Sequence, residues 1–167
     1  MTKHYVISDL HLGMGQDSNG QWHPLEDFKS DSTFKLLIDR IEKEQGDELI
    51  INGDWIDFPQ LEPLDCCNGY FFSNKGHRLG WTESDSLKKF ENCKCAHKNF
   101  FKDLNSFLSN GKKLTIIMGN HDIDMFWPKV QKEIIQLLSP ITDNQIQFKR
   151  TFIRRGTTHI EHGNQRC

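Results

Sequence analysis

At 167 residues, with 36% hydrophobic and 26% charged side chains, the chain has the length of one domain and the composition of an ordinary globular protein, which excludes collagen, a coiled coil and global disorder. Its 21 Lys and Arg against 23 Asp and Glu leave a formal net charge of -2, so no strong nucleic-acid signature is present. No run approaches about 18 consecutive apolar residues, and Met1 to Ser8 lacks the apolar stretch of a secretory signal. A cytoplasmic chain without a membrane-spanning segment is expected.

The first predicted element is a buried strand, His4 to Ser8 (HYVIS), which opens into the polar cluster SDLHLG. Ser32 then caps a helix in which Phe34, Leu37, Ile38 and Ile41 recur at helical spacing, and Gly46 stops it. A second strand, Glu48 to Asn52 (ELIIN), is closed by Gly53 and followed by the acidic loop DWID. A strand–helix–strand unit of this kind predicts parallel strands buried on both faces. Pro59 to Gly80, rich in Gly, Pro and Asn but carrying Tyr70, Phe71 and Phe72, reads as a long ordered excursion.

From Thr82 one long helix is expected, with Leu87, Phe90, Phe100, Leu104, Phe107 and Leu108 on compatible spacings and Asn110-Gly111 at its end. Lys113 to Met118 (KLTIIM) is the third strand and empties into GNHD. Trp127-Pro128 starts a further helix with Val130, Ile134, Leu137 and Leu138 on one side. Ile146 to Arg154 and Thr157 to Glu161 are strand-like runs around Gly156, in a hairpin or in succession. The whole reads as layered α/β.

Three apolar strands thus end in loops carrying Asp9 and His11, Asp54 and Asp57, and Asn120, His121 and Asp122. In a parallel sheet the carboxyl ends of the strands lie along one edge, so the three clusters converge. Carboxylate, imidazole and amide oxygen suit divalent cations such as Mn2+, Fe2+ or Zn2+. Alternation along an extended segment puts Asp9 and His11 on one side and turns Leu10 toward the core. Asp54 has oxygens enough to touch two ions, the arrangement that holds metals about 3.5–4 Å apart in phosphoryl chemistry.

In chain order, SDLHLG, GDWID, GNHD and the HG of IEHGNQ closely resemble the signature blocks of the calcineurin-like metallophosphoesterase superfamily. The resemblance runs from His4 to Gln165 and implies an αββα sandwich spanning residues 1–167 as one domain. It implies two divalent ions, Mn2+ foremost with Fe2+ or Zn2+ as alternatives. Asp9 and His11 would bind the first ion, Asp54 both, and Asn120 and His162 the second. His121 would be the general acid, with Asp122 orienting it and Asp57 supporting neighbouring groups from behind.

The implied reaction is hydrolysis of phosphate mono- or diesters by water ionised between the two cations, with loss of Asp54 the most damaging change. The superfamily spans phosphoprotein, nucleic-acid, cyclic-nucleotide and nucleotide-sugar lipid substrates. The wall that would choose among them is Pro59 to Gly80 with Trp81. Its pattern continues beyond the HG block to a GHxH block, whose two histidines complete one ligand set on each metal and which has no counterpart before Cys167. On this ground the sandwich is expected to be incomplete at its C-terminal end, with an unpaired strand edge or apolar patch, and a truncated, inactive or partner-dependent metal-binding remnant is the alternative reading.

Five cysteines, Cys66, Cys67, Cys93, Cys95 and Cys167, form no CxxC pair. They read as free thiols in a reducing compartment. The alternative is a zinc site on Cys66, Cys67, Cys93 and Cys95. His4, His23, His77 and His97 have no partner at diagnostic spacing, and His159 and Arg78 read as ordinary polar side chains.

Overall fold

The computed structural model describes residues 2–62, 82–139 and 141–164. Among these, strands β1 (His4–Ile7), β2 (Glu48–Asn52), β3 (Lys113–Ile117) and β4 (Ile146–Lys149) form one parallel sheet in the order β1-β2-β3-β4. The connections hold helices α1 (Asp31–Lys43), α2 (Glu83–Ala96), α3 (Lys98–Ser109) and α4 (Pro128–Leu138). After β4 the chain forms an antiparallel pair, β5 (Phe152–Arg155) and β6 (Thr158–Glu161). The layered α/β expectation holds, with a parallel four-stranded sheet flanked by helices.

Strand alternation divides the core in two. Leu49, Ile51, Leu114, Ile116 and Ile146 pack with Phe34, Ile38 and Ile41 of α1, Phe100, Leu104 and Phe107 of α3, and Val130, Ile134 and Leu138 of α4. Ile50 and Ile117 point the other way and are covered by Ile153 of β5, with Ile160 of β6 alongside. Among the described residues β1 and β4 are the sheet edges, and Val6 of β1 is 47% exposed.

Three elements differ from expectation. The helix after β1 starts two residues earlier than a Ser32 cap requires, with Ser30 at its N-cap. The single long helix from Thr82 is two helices. Thr82 closes a capping box with Asp85, but the backbone turns out of helical geometry at His97 (φ -111, ψ 42), whose buried ring is drawn between acidic side chains. The run Ile146 to Arg154 is also two strands, because β4 pairs in parallel with β3 whereas β5 pairs antiparallel with β6. The 59–80 excursion lies outside the described residues from position 63 onward.

One polar cluster joins the two layers. Glu48, at the start of β2 and 3% exposed, accepts both Nε and Nη2 of Arg155 (2.7 and 2.5 Å) and the hydroxyl of Thr115 (2.6 Å), and meets His4 Nδ1 at 2.6 Å. Burial pushes this carboxyl up, but the hydrogen bonds from Arg155, Thr115 and His4 more than offset it and hold it at about 2, against an ordinary 4.5. A carboxyl whose pKa is depressed on folding stabilises the protein above its unfolded pKa and loses that contribution as pH falls toward the folded value. The difference amounts to about 3 kcal/mol. Urea unfolding of Glu48→Gln is therefore expected to show a stability deficit of that order at pH 7 that closes between pH 4.5 and 2; a deficit constant over this range would contradict the assignment.

Candidate metal centre

The loops after β1 and β2 run side by side. Asp9, His11 and Leu12 donate their N–H groups to the carbonyls of Gly53 (3.1 Å), Asp54 (2.9 Å) and Trp55 (2.9 Å), and Asp57 N–H returns to Leu12 (3.0 Å). Asp9, His11 and Asp54 adopt left-handed backbone, with φ of 55, 49 and 50. Such conformations are costly away from glycine and gather at functional sites. They also correct the extended-strand reading, since Asp9 and His11 are not simple alternating strand residues.

Asp54 is 4% exposed. Its Oδ1 accepts the N–H of His121 at 3.0 Å, while Oδ2 faces His11 Nε2 at 3.6 Å and His162 Nε2 at 3.3 Å. Both histidines are held from behind. His11 Nδ1 meets Asp57 Oδ2 at 3.1 Å, and His162 Nδ1 meets the Asn52 carbonyl at 2.9 Å. A histidine whose Nδ1 is so engaged presents Nε2 as a ligand, the usual support of a metal-binding imidazole. The Asn52 side chain also donates to the Glu161 carbonyl at 3.0 Å, which fixes the end of β6 and hence His162.

Close backbone approach makes two glycines necessary. A Cβ on Gly53, at φ +83, would fall 2.3 Å from His162 Cγ, and one on Gly119 would fall 2.0 Å from Asp54 Oδ1. The β3 loop is tied down by Asp122, fully buried, whose oxygens accept the N–H groups of Trp55 (2.9 Å) and Gly119 (2.6 Å). Burial pushes the Asp122 carboxyl up to about 6 although both hydrogen bonds act against this.

The ring of His121 is held by Asp57, whose Oδ1 lies 3.0 Å from its Nδ1. Asp57 thus grips both His121 and His11, whose rings meet edge to face at 4.7 Å. The resemblance assigned the orienting role to Asp122; the carboxylate that bonds this ring is Asp57. Burial disfavours a charged His121, but the Asp57 hydrogen bond and the charges of Asp57, Asp54 and Asp122 outweigh it and raise its pKa. The turn carrying Asp57 is anchored by Lys89 of α2, wholly buried, whose ammonium donates to the Phe58 carbonyl at 2.7 Å. Burial pushes this lysine down to about 8.

Among the described residues, three groups bring ligand atoms within 4.8 Å of one another: His11, Asp54 and His121; Asp9, Asp54 and His162; and His11, Asp27 and Asp57. The first two share Asp54 and fit a divalent ion in donor type, nitrogen and carboxylate oxygen. They place Asp9 beside His162 and His11 beside His121, a different partition from the pairing of Asp9 with His11. The third surrounds His11 on the side already engaged by Asp57. Asp27, in an irregular stretch, had no spacing signal to mark it. Asn120 is exposed beside His121.

The remaining histidines and cysteines have other settings. His159 stacks on Phe152 and pairs with Glu161 at 2.9 Å. His4 serves the Glu48 cluster, and His97 lies between Glu26 and Asp31. None of the three ligand groups contains a cysteine. Cys93 is buried with its Sγ 3.8 Å from the Leu12 carbonyl, and Cys66, Cys67, Cys167, His77, Arg78, Tyr70, Phe71, Phe72 and Trp81 lie outside the described residues.

A family model, calcineurin-like phosphoesterase, matches residues 2–165. The chain belongs to this family of metal-dependent phosphoesterases. A comparison with curated proteins finds no significant match. No described helix is long and apolar enough to cross a membrane.

Because Asp57 positions two imidazoles at once, Asp57→Ala is expected to weaken Mn2+ binding about 10–100-fold, the usual cost of removing a partner that orients a ligand. Isothermal titration measures it; wild-type affinity in the variant would show that the rings hold their orientation without Asp57.

Proposed function

We propose that the chain hydrolyses phosphate mono- or diesters at this centre, working as one domain over residues 1–167. The observation that carries the reading is the pair His11 and His162. Each has Nδ1 engaged from behind and Nε2 turned onto the same buried Asp54 oxygen. In this reading Asp9, His11, Asp54, Asn120 and His162 hold two divalent cations, Mn2+ foremost, with Asp54 shared between them. When bound, such ions neutralise phosphoryl oxygens and acidify water near neutral pH.

The protein's own contribution is to fix and charge the site. Asp54, Asp9 and Asp57 supply negative charge against which cations are retained, and the backbone ladder from Asp9 to Leu12 keeps their spacing constant. His121 serves as the general acid. Its Nδ1 is engaged by Asp57, which orients the ring and leaves Nε2 to carry the proton toward the departing oxygen. Asp122 keeps the loop of His121 against the Asp54 loop through its two backbone contacts. Substrate choice within phosphate esters falls to the walls around this core, which vary independently of it.

Hydrolysis of bis(p-nitrophenyl) phosphate by the purified chain with Mn2+ tests the reading. Wild type is expected to turn over, Asp54→Asn to fall to background, and His121→Ala to lose about 10²–10⁴-fold in kcat. Wild-type activity no higher than that of Asp54→Asn would sink the enzyme reading, and metal binding without turnover would leave a binding role in its place. Repeating the assay with Fe2+ and Zn2+ ranks the metals.

A further inference from the structure

Behind the loop that leaves β1 lies a second set of buried ionisable groups, separate from the ligands. Glu26 is 2% exposed. Its Oε2 accepts the N–H of Gly15 at 2.6 Å, and its Oε1 accepts those of Gly13 at 3.3 Å and Phe28 at 3.0 Å. His97, 1% exposed at the break between α2 and α3, lies with Nε2 3.5 Å from Glu26 Oε2 and Nδ1 3.2 Å from Asp31 Oδ1.

A carboxylate is taken out of water at a high cost unless its charge is matched and its lone pairs are filled. Here one imidazole and three amides do both. Burial disfavours a charged His97, yet its pairing with Asp31 and Glu26 prevails and pushes it up to about 9. The loop is also pressed onto the helix break, since a Cβ on Gly15, at φ +67, would lie 2.6 Å from Ala96 Cβ. Cys93 of the same helix reaches the Leu12 carbonyl.

Gly13 is two residues past His11, whose φ of 49 is a conformation the chain does not keep unaided. On the other side of His11 the chain is fixed by β1 and the Gly53 contact. After it the chain is held first at Leu12, bonded to Trp55 and Asp57, and then by Glu26 on the amides of Gly13 and Gly15.

We propose that Glu26 is a positioning residue for the metal centre: clamped by His97, its carboxylate grips the amides of Gly13 and Gly15 and so holds His11 with Nε2 aimed at Asp54. The proposal rests on the reading of the site as a metal centre. Glu26 touches neither the ligands nor Asp57 among its described contacts, so its effect is transmitted through the loop backbone.

The test uses the whole chain and two readouts other than activity. The first is the 1H–15N amide shifts of Gly13 and Gly15 in metal-free protein, which a carboxylate acceptor moves downfield. The second is Mn2+ affinity, followed by electron paramagnetic resonance. Glu26→Gln, which offers only one acceptor oxygen, is expected to move both amides upfield and weaken Mn2+ binding about tenfold or more. Gln145→Ala, which removes a buried amide bonded to the Leu108 and Lys112 carbonyls at the amino end of β4, controls for general destabilisation and is expected to bind Mn2+ like wild type.

Wild-type affinity in Glu26→Gln overturns the proposal, as does equal weakening in Gln145→Ala. If Glu26→Gln fails to fold, His97→Gln reports instead: the Gly15 shift and the affinity must move together, and no change in either overturns the proposal. A wild-type chain that binds no Mn2+ overturns the metal-centre reading itself, whereas intact wild-type binding with an indifferent Glu26→Gln overturns the clamp alone.

Discussion

The buried carboxylate of Asp54 is the constraint around which the rest is arranged. It sits just past the carboxyl end of a central strand, in left-handed backbone, with one oxygen on the His121 amide and the other facing two imidazole nitrogens. A carboxylate so placed needs positive charge opposite it and a rigid surround that holds it there. Gly53 and Gly119 leave room for it and its neighbours, Asp122 ties the two loops that flank it, and Asp57 turns His11 and His121 in the right directions. The strain in Asp9, His11 and Asp54 persists because the two loops are bonded to each other, Asp9 to Gly53, His11 to Asp54, and Leu12 to Trp55 and Asp57.

The parallel sheet makes this arrangement possible by ending β1, β2 and β3 along one edge. The apolar side chains between sheet and helices hold those ends in register, and they fill the core without entering the site. The last ligand candidate comes from the opposite layer. His162 follows β6, whose hairpin is held to the sheet by Ile153 on Ile50 and Ile117 and by the Arg155–Glu48 pair. The packing of the second layer is therefore a condition for completing the site, and the salt bridge far from the chemistry contributes to placing it.

Much of this was legible in the sequence because it rests on local pattern. HYVI, ELIIN and KLTII are short apolar runs, each closed by a polar cluster, and strand direction does the rest. What was not legible depends on pairing between distant residues. Nothing near His97 shows that it will end a helix by turning toward Glu26 and Asp31. The choice of Asp57 over Asp122 as the partner of His121 follows from how two loops cross, which spacing within either loop does not encode. The left-handed backbone at Asp9 and His11 is likewise a tertiary effect, as no glycine marks those positions. The split of 146–154 into two strands arises because one half pairs with β3 and the other with β6.

The central claim is that Asp54 is shared between two cations. Anomalous diffraction at the manganese edge, from crystals grown with Mn2+, tests it most directly. Two peaks are expected on either side of the Asp54 carboxylate, about 3.5–4 Å apart, one toward His11 and the other toward His162. Peaks elsewhere, or none beside Asp54 in a chain that binds Mn2+ in solution, would contradict the account.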